Sequence, residues 1–118
     1  MKSRPLITRF RFALAGLRYA LRHERSFRTH LSAVLFVAVA VFWFRPPLIW
    51  QALLWVMVAL VLAAELFNTA LEATLDALHP QQAEFVRNAK DCAAAAVLIL
   101  SIAALLVFAL MMLAINLQ

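Results

Sequence analysis

LIWQALLWVMVALVLAAELFNTALEATLDAL, residues 48–78, is the stretch on which the reading of this chain turns. Its first seventeen residues, Leu48 to Ala64, carry no charge, and a hydrocarbon core of ~30 Å takes about 20 helical residues to cross. The run then continues as a helix but changes character. Glu65, Asn68, Thr69, Glu72 and Asp76 stand at offsets 0, 3, 4, 7 and 11, which fall on one narrow helical face. Leu62, Leu66, Ala73 and Leu75 keep the opposite face apolar. The segment therefore reads as a membrane helix with an acidic stripe at one end.

Two further spans flank it. Ala93 to Ile115 is twenty-three residues whose one polar member is Ser101. Leu31 to Phe44 is uncharged for fourteen residues and extends to Arg28 and Pro47. The alanine run Ala93 to Ala96 suits close helix approach inside a membrane. The first segment differs: Arg4, Arg11, Arg18, Arg22 and Arg25 follow helical spacing, and Ile7, Phe10, Leu14, Leu17 and Leu21 follow it on another face. Such a basic amphipathic helix lies in a membrane interface with its arginines among anionic headgroups. The first thirty residues contain arginines throughout and no uninterrupted apolar run of the kind a signal peptide has. The expected architecture is an all-α membrane protein forming a single domain over residues 1–118. It has an interfacial helix over about 5–25 and membrane helices over about 28–47, 48–78 and 91–117.

Composition agrees and excludes much else. The 118 residues are 66% hydrophobic and 14% charged, against roughly 45–50% and about 25% in ordinary globular domains. Gly16 is the one glycine, so neither a P-loop nor a dinucleotide fingerprint can be written. Cys92 alone forms no disulfide framework and no cysteine-based zinc cluster, and His23, His30 and His79 supply no HExxH pair. Eight of eleven Lys/Arg lie in the first 28 residues; with the rest of the chain in lipid, nucleic acid is not the expected partner of that patch. If the N-terminus is cytoplasmic, Arg45 alone lies on the far side and ten basic residues face the cytoplasm, a strong positive-inside bias. Pro46 and Pro47 then make the far-side turn, Trp43 and Trp50 sit at the far interface, Gln81 to Asn88 connects the last two spans, and the C-terminus lies on the far side. Cys92 reads as a small packing residue at the start of the third span.

Chemistry must come from the acids. Glu24, Glu65, Glu72, Asp76 and Asp91 gather near one depth in this topology, and acids at the edge of a span face a bundle interior or a water-filled cavity. Hard carboxylate oxygens bind Mg²⁺, Lys90 neutralises phosphate, and one carboxylate remains as a base, which together form a phosphoryl-transfer constellation without a glycine loop. The same residues also fit a non-catalytic membrane assembly protein, with the acids paired to the N-terminal arginines, or a proton-coupled channel with Glu65 as relay.

The run Glu65-Leu-Phe-Asn68-Thr69-Ala70-Leu71-Glu72-Ala-Thr-Leu-Asp76, followed by Ala89-Lys90-Asp91 and Ala93-Ala-Ala-Ala-Val97, closely resembles the small prokaryotic diacylglycerol kinase and undecaprenol kinase family. Gly16-Leu17-Arg18 and Glu24-Arg-Ser-Phe27-Arg28 extend the likeness over nearly the whole chain. The resemblance implies an integral kinase of the bacterial inner membrane, a homotrimer whose active sites are shared between neighbours. It would move the γ-phosphate of ATP to the hydroxyl of diacylglycerol or undecaprenol. It implies Glu65 as general base, Glu24 and Glu72 as Mg²⁺ ligands, and Lys90 and Asp91 on the nucleotide with Asn68 and Asp76 in support. Arg18, Phe27, Arg28 and His30 fall on the lipid side. Phe12 stands where the diacylglycerol-specific pattern has a nucleotide-contacting tyrosine, and Gln81 to Ala83 lacks that pattern's acid and histidine. His30 is more similar to the undecaprenol kinase branch.

The charge asymmetry generates a topology test. A membrane-impermeant thiol label applied to intact cells should reach Arg45→Cys and fail to reach Gln82→Cys; the reverse pattern would invert the orientation.

Overall fold

The computed structural model of the chain describes residues 4–117. Four helices account for nearly all of them: α1 Leu6–His23, α2 Arg25–Phe44, α3 Leu48–Leu78 and α4 Glu84–Asn116. No strand occurs among the described residues. Helices α2, α3 and α4 are each long and apolar enough to cross a membrane. At 1.5 Å per residue, α3 is roughly 46 Å long, well beyond a ~30 Å hydrocarbon core. That length leaves room for its last turns, with Glu72 and Asp76, to lie outside the apolar layer.

The joints show why the helices stop where they do. Between α1 and α2 the break is one residue, Glu24, in an extended conformation (φ −117°, ψ 110°). The sequence carries no glycine or proline there. Arg28 instead closes the joint, its Nη1 donating to the carbonyls of Leu21 (2.8 Å) and Arg22 (3.3 Å) at the open end of α1. At the other end of α2, Arg45 takes the left-handed conformation (φ 47°, ψ 59°) with its N–H on the Val41 carbonyl. Pro46 follows directly and disfavours helix in the residue before it. Gln51 Nε2 donates to the Pro46 carbonyl at 2.8 Å and ties the turn to α3.

The α3–α4 connection is shorter than the sequence suggested. Gln81 to Asn88 reads as a linker, yet α4 begins at Glu84, and its first two turns carry Glu84, Arg87, Asn88 and Lys90. His79 and Pro80 end α3, the His79 ring meets Phe85 edge-on at 4.9 Å, and Glu84 places a negative charge in the first turn of α4. That charge suits the positive end of the helix dipole.

Helices α3 and α4 make the most extensive contact, with α2 against α3 and α1 at the head of both α2 and α3. A small core of Val37, Leu54 and Met111 joins the three long helices, with Trp50, Trp55 and Phe108 packed on it. Leu35, Phe36, Phe42 and Trp43 on α2 and Ile99, Leu105 and Leu106 on α4 stay exposed, as do Leu6, Ile7 and Phe10 on α1. These surfaces belong against lipid or protein, not water. Cys92, expected as a packing residue, is exposed in the single chain because the start of α4 lies past the last turns of the core.

Candidate active site

Glu65 is the deepest ionisable group on α3, and it is buried (3% exposed). Such a carboxyl needs a partner, and α2 supplies one. His30 Nδ1 lies 2.7 Å from Glu65 Oε1. The same nitrogen is 3.1 Å from the Ser26 carbonyl one turn earlier, while His30 Nε2 stands 3.4 Å from Ser101 Oγ on α4. One imidazole thus links all three membrane helices. Thr69 supports the α3 side, its buried hydroxyl donating to the Glu65 carbonyl at 2.9 Å.

One turn toward the polar end, Asn68 Nδ2 donates to Glu72 Oε1 at 3.3 Å, and Asn68 Oδ1 is buried with no partner among the described residues. Glu24, at the α1–α2 joint, completes an acidic group. Burial pushes its carboxyl above the ordinary carboxylate value, and the charges of Glu72 and Glu65 push it the same way, against His23 and Arg28. Three acids from two parts of the chain therefore sense one another. Among the described residues, however, no three His, Cys, Asp or Glu side chains approach closely enough to hold a metal ion unaided.

The partner of Asp76 is not an N-terminal arginine but Lys90, whose Nζ donates to Asp76 Oδ1 at 2.7 Å. The pair is solvent-exposed, so water screens it and it holds Lys90 only weakly. Asp91 is exposed beside it.

The other singled-out residues divide. Phe12 is exposed under the Arg4 guanidinium, 4.8 Å from its ring centre. Arg18 is exposed, whereas Phe27 is fully buried and Arg28 is engaged in closing α1. Ser101 was not singled out for the site. Its signal was present, as the one polar residue in the twenty-three from Ala93 to Ile115.

Beyond His30 and Ser101 an apolar cleft of about 320 Å³ opens between α2, α3 and α4. Val34 and Val37, Val58 and Val61, and Leu105 and Phe108 line it, all running away from the acidic end. His30 and Ser101 line its head, and Glu65 lies behind the imidazole, outside the lining.

These features define a class: an all-α membrane protein with an acid-rich site at one end of three membrane-crossing helices and a lipid-like cleft leading from it. A model of the prokaryotic diacylglycerol kinase family matches residues 11–112, and the chain belongs to that family. It is 41% identical over 103 residues to a diacylglycerol kinase of Synechocystis sp., covering 86% of this chain and 59% of that protein. To the Escherichia coli K12 diacylglycerol kinase it is 35% identical over 101 residues, 86% of this chain and 83% of that one. It is also similar to an undecaprenol kinase of Bacillus subtilis, at 29% over 87 residues, 74% of this chain and 71% of the other.

Glu24 yields a stability test. A carboxyl raised on folding gives stability that is present at low pH and lost as pH rises from the unfolded value of 4.5 through the raised one. Glu24→Gln should therefore unfold at a higher temperature than wild type in detergent at pH 7 without divalent cation. The gain should vanish by pH 4. An equal or lower midpoint at pH 7 would contradict the crowding of these acids.

Proposed function

We propose that the chain is a lipid kinase that transfers the γ-phosphate of Mg-ATP to the hydroxyl of a membrane lipid. The observation that carries this is the junction of two surfaces at the His30–Glu65 pair: an acidic, amide-bearing face on one side and an apolar cleft on the other. A kinase for a lipid alcohol needs both, because its two substrates arrive from different solvents.

The acidic face fits a cation that comes with the nucleotide. Mg²⁺ is commonly held by one or two carboxylates together with substrate phosphates and water. Glu24 and Glu72 are two such carboxylates, and the unpartnered Asn68 oxygen adds a hard donor beside them. When bound, the cation neutralises charge on the transferring group. Lys90, released from Asp76, pairs with phosphate as a point charge, and Asp91, Asp76 and Phe12 lie on the nucleotide side.

On the lipid side, His30 lines the head of the cleft, Arg18, Phe27 and Arg28 belong to the same side of the proposed site, and Glu65 acts on the acceptor hydroxyl. A loose phosphoryl-transfer transition state requires little ionisation of the nucleophile and depends chiefly on positioning. A cleft that fixes the depth of a lipid hydroxyl supplies that positioning. The acceptor is diacylglycerol or undecaprenol, the lipids named for this chain's relatives. The protein works as a homotrimer in the bacterial inner membrane with sites shared between neighbours, and the apolar side chains left exposed in the single chain support such contacts.

Purified protein in detergent micelles, given ATP, Mg²⁺ and both lipid alcohols together, should phosphorylate one of them preferentially. Glu72→Gln should lose Mg-ATP affinity, and activity with it. Glu65→Gln should keep ATP affinity while kcat falls about 10²–10⁴-fold, the usual worth of a general base. Near-normal turnover in Glu72→Gln would remove that residue from the metal's ligands, and no transfer by wild type to either lipid would refute the kinase reading.

A further inference from the structure

The hydroxyls of Thr29, Ser32, Thr69 and Thr74 each turn back to the carbonyl four residues earlier in their own helix. That is a common way for a helical hydroxyl to be satisfied away from water. Ser101, the one polar residue between Ala93 and Ile115, does otherwise. Its Oγ lies 3.4 Å from Nε2 of His30, on a different helix and 71 residues away. The other ring nitrogen decides the direction of that contact. Nδ1 faces two oxygens, Glu65 Oε1 at 2.7 Å and the Ser26 carbonyl at 3.1 Å, so Nδ1 carries the hydrogen. In the neutral ring Nε2 then holds the lone pair, and the Ser101 hydroxyl donates to it. One hydrogen on Nδ1 thus has two competing acceptors, and a swing of the ring toward the Ser26 carbonyl withdraws it from Glu65. A donor on the far nitrogen opposes that swing. The contacts run as a chain from Ser101 on α4 through His30 on α2 to Glu65 on α3.

We propose that Ser101 is a positioning residue for the phosphoryl transfer. Its hydroxyl holds His30 in the tautomer with hydrogen on Nδ1, and the ring in turn fixes the Glu65 carboxyl that acts on the acceptor hydroxyl. This rests on the lipid-kinase reading and leaves the roles assigned there in place. Glu65 is 3% exposed and stands behind the imidazole, whose side chain is 28% exposed and lines the head of the cleft. The tilt of the ring therefore sets how the carboxyl meets a hydroxyl arriving along Val37 and Val34. Held through Oε1, the carboxyl keeps Oε2 for the acceptor. Supporting hydrogen bonds of this kind keep a reacting group within the narrow geometry that transfer requires. Neither Glu72 nor Lys90 belongs to the chain, so breaking it is read in kcat and not in the KM for ATP.

The test pairs kinetics with histidine NMR on the full chain in micelles. Ser101→Ala, assayed with Mg-ATP and with diacylglycerol and undecaprenol in turn, should keep the KM for ATP while kcat falls about 3–10-fold, the worth of one hydrogen bond. Ser101→Thr, which restores a hydroxyl, should recover most of that rate. Isotopic labelling of the imidazole nitrogens reads the tautomer directly, the His30 signals being those missing from His30→Asn. Above the ordinary imidazole range of pH, wild type and Ser101→Thr should show hydrogen on Nδ1 and a bare Nε2. Ser101→Ala should show a mixture of the two tautomers. The proposal is overturned if Ser101→Ala turns over at the wild-type rate, or if the wild-type ring carries its hydrogen on Nε2 or on both nitrogens. It is overturned as well if rate and tautomer part company in either variant, since Ser101 then acts by packing alone. A wild-type protein that transfers phosphate to neither alcohol overturns the kinase reading itself, and this proposal with it, whatever the tautomer.

Discussion

A carboxyl group buried between apolar helices is the constraint around which this molecule is arranged. Glu65 follows seventeen uncharged residues on α3 and is almost wholly removed from solvent. An ionisable group at that depth is costly unless it faces the bundle interior with a partner. The His30 imidazole meets the requirement at 2.7 Å, and in doing so it sets the approach of α2 to α3. Ser101 on the other side of the ring engages α4 in the same contact. The rest of the packing is modest: one small core of Val37, Leu54 and Met111 lies deeper between the same three helices. A polar link and an apolar one, at different depths, hold α2 in register.

The same constraint separates two environments. Toward the helix ends, Asn68, Glu72, Asp76 and Lys90 form a polar face that water can reach. Toward the membrane interior, the cleft walls are Val, Leu and Phe. Their meeting point is one turn of α3. In the proposed function, phosphate and lipid hydroxyl meet at that boundary, because neither substrate enters the other's solvent. The lone glycine is consistent with this economy. With no glycine-rich loop in the chain, the proposed function leaves the charge of phosphates to side chains and a divalent cation.

Much of the architecture was legible in the chain because hydrophobic runs and arginine spacing report directly on where lipid must be. The acidic stripe was equally legible, since positions 65, 68, 72 and 76 need only helical arithmetic to share a face. What sequence could not provide was contact between distant segments. His30 and Glu65 meet only once α2 packs on α3 in one register, and Ser101 joins them only once α4 is added. A polar residue alone in a long span was the available clue to Ser101. The single-residue joint at Glu24 was also hidden, because it is made by the Arg28 guanidinium reaching back to α1 and not by glycine or proline. The start of α4 was misplaced for a related reason. Polar residues in a connection do not prevent a helix when no breaker follows Pro80, and residues 84–90 form its first two turns.

The most direct measurement of the central claim is where the acceptor lipid lies. A lipid alcohol carrying a diazirine on its chain, irradiated with the protein in micelles and mapped by peptide mass spectrometry, reports the residues beside that chain. The account predicts labels on Val34 and Val37 of α2 and on Leu105 and Phe108 of α4, suppressed by excess unlabelled alcohol. Competable labelling confined to α1, with none in the cleft, would contradict it.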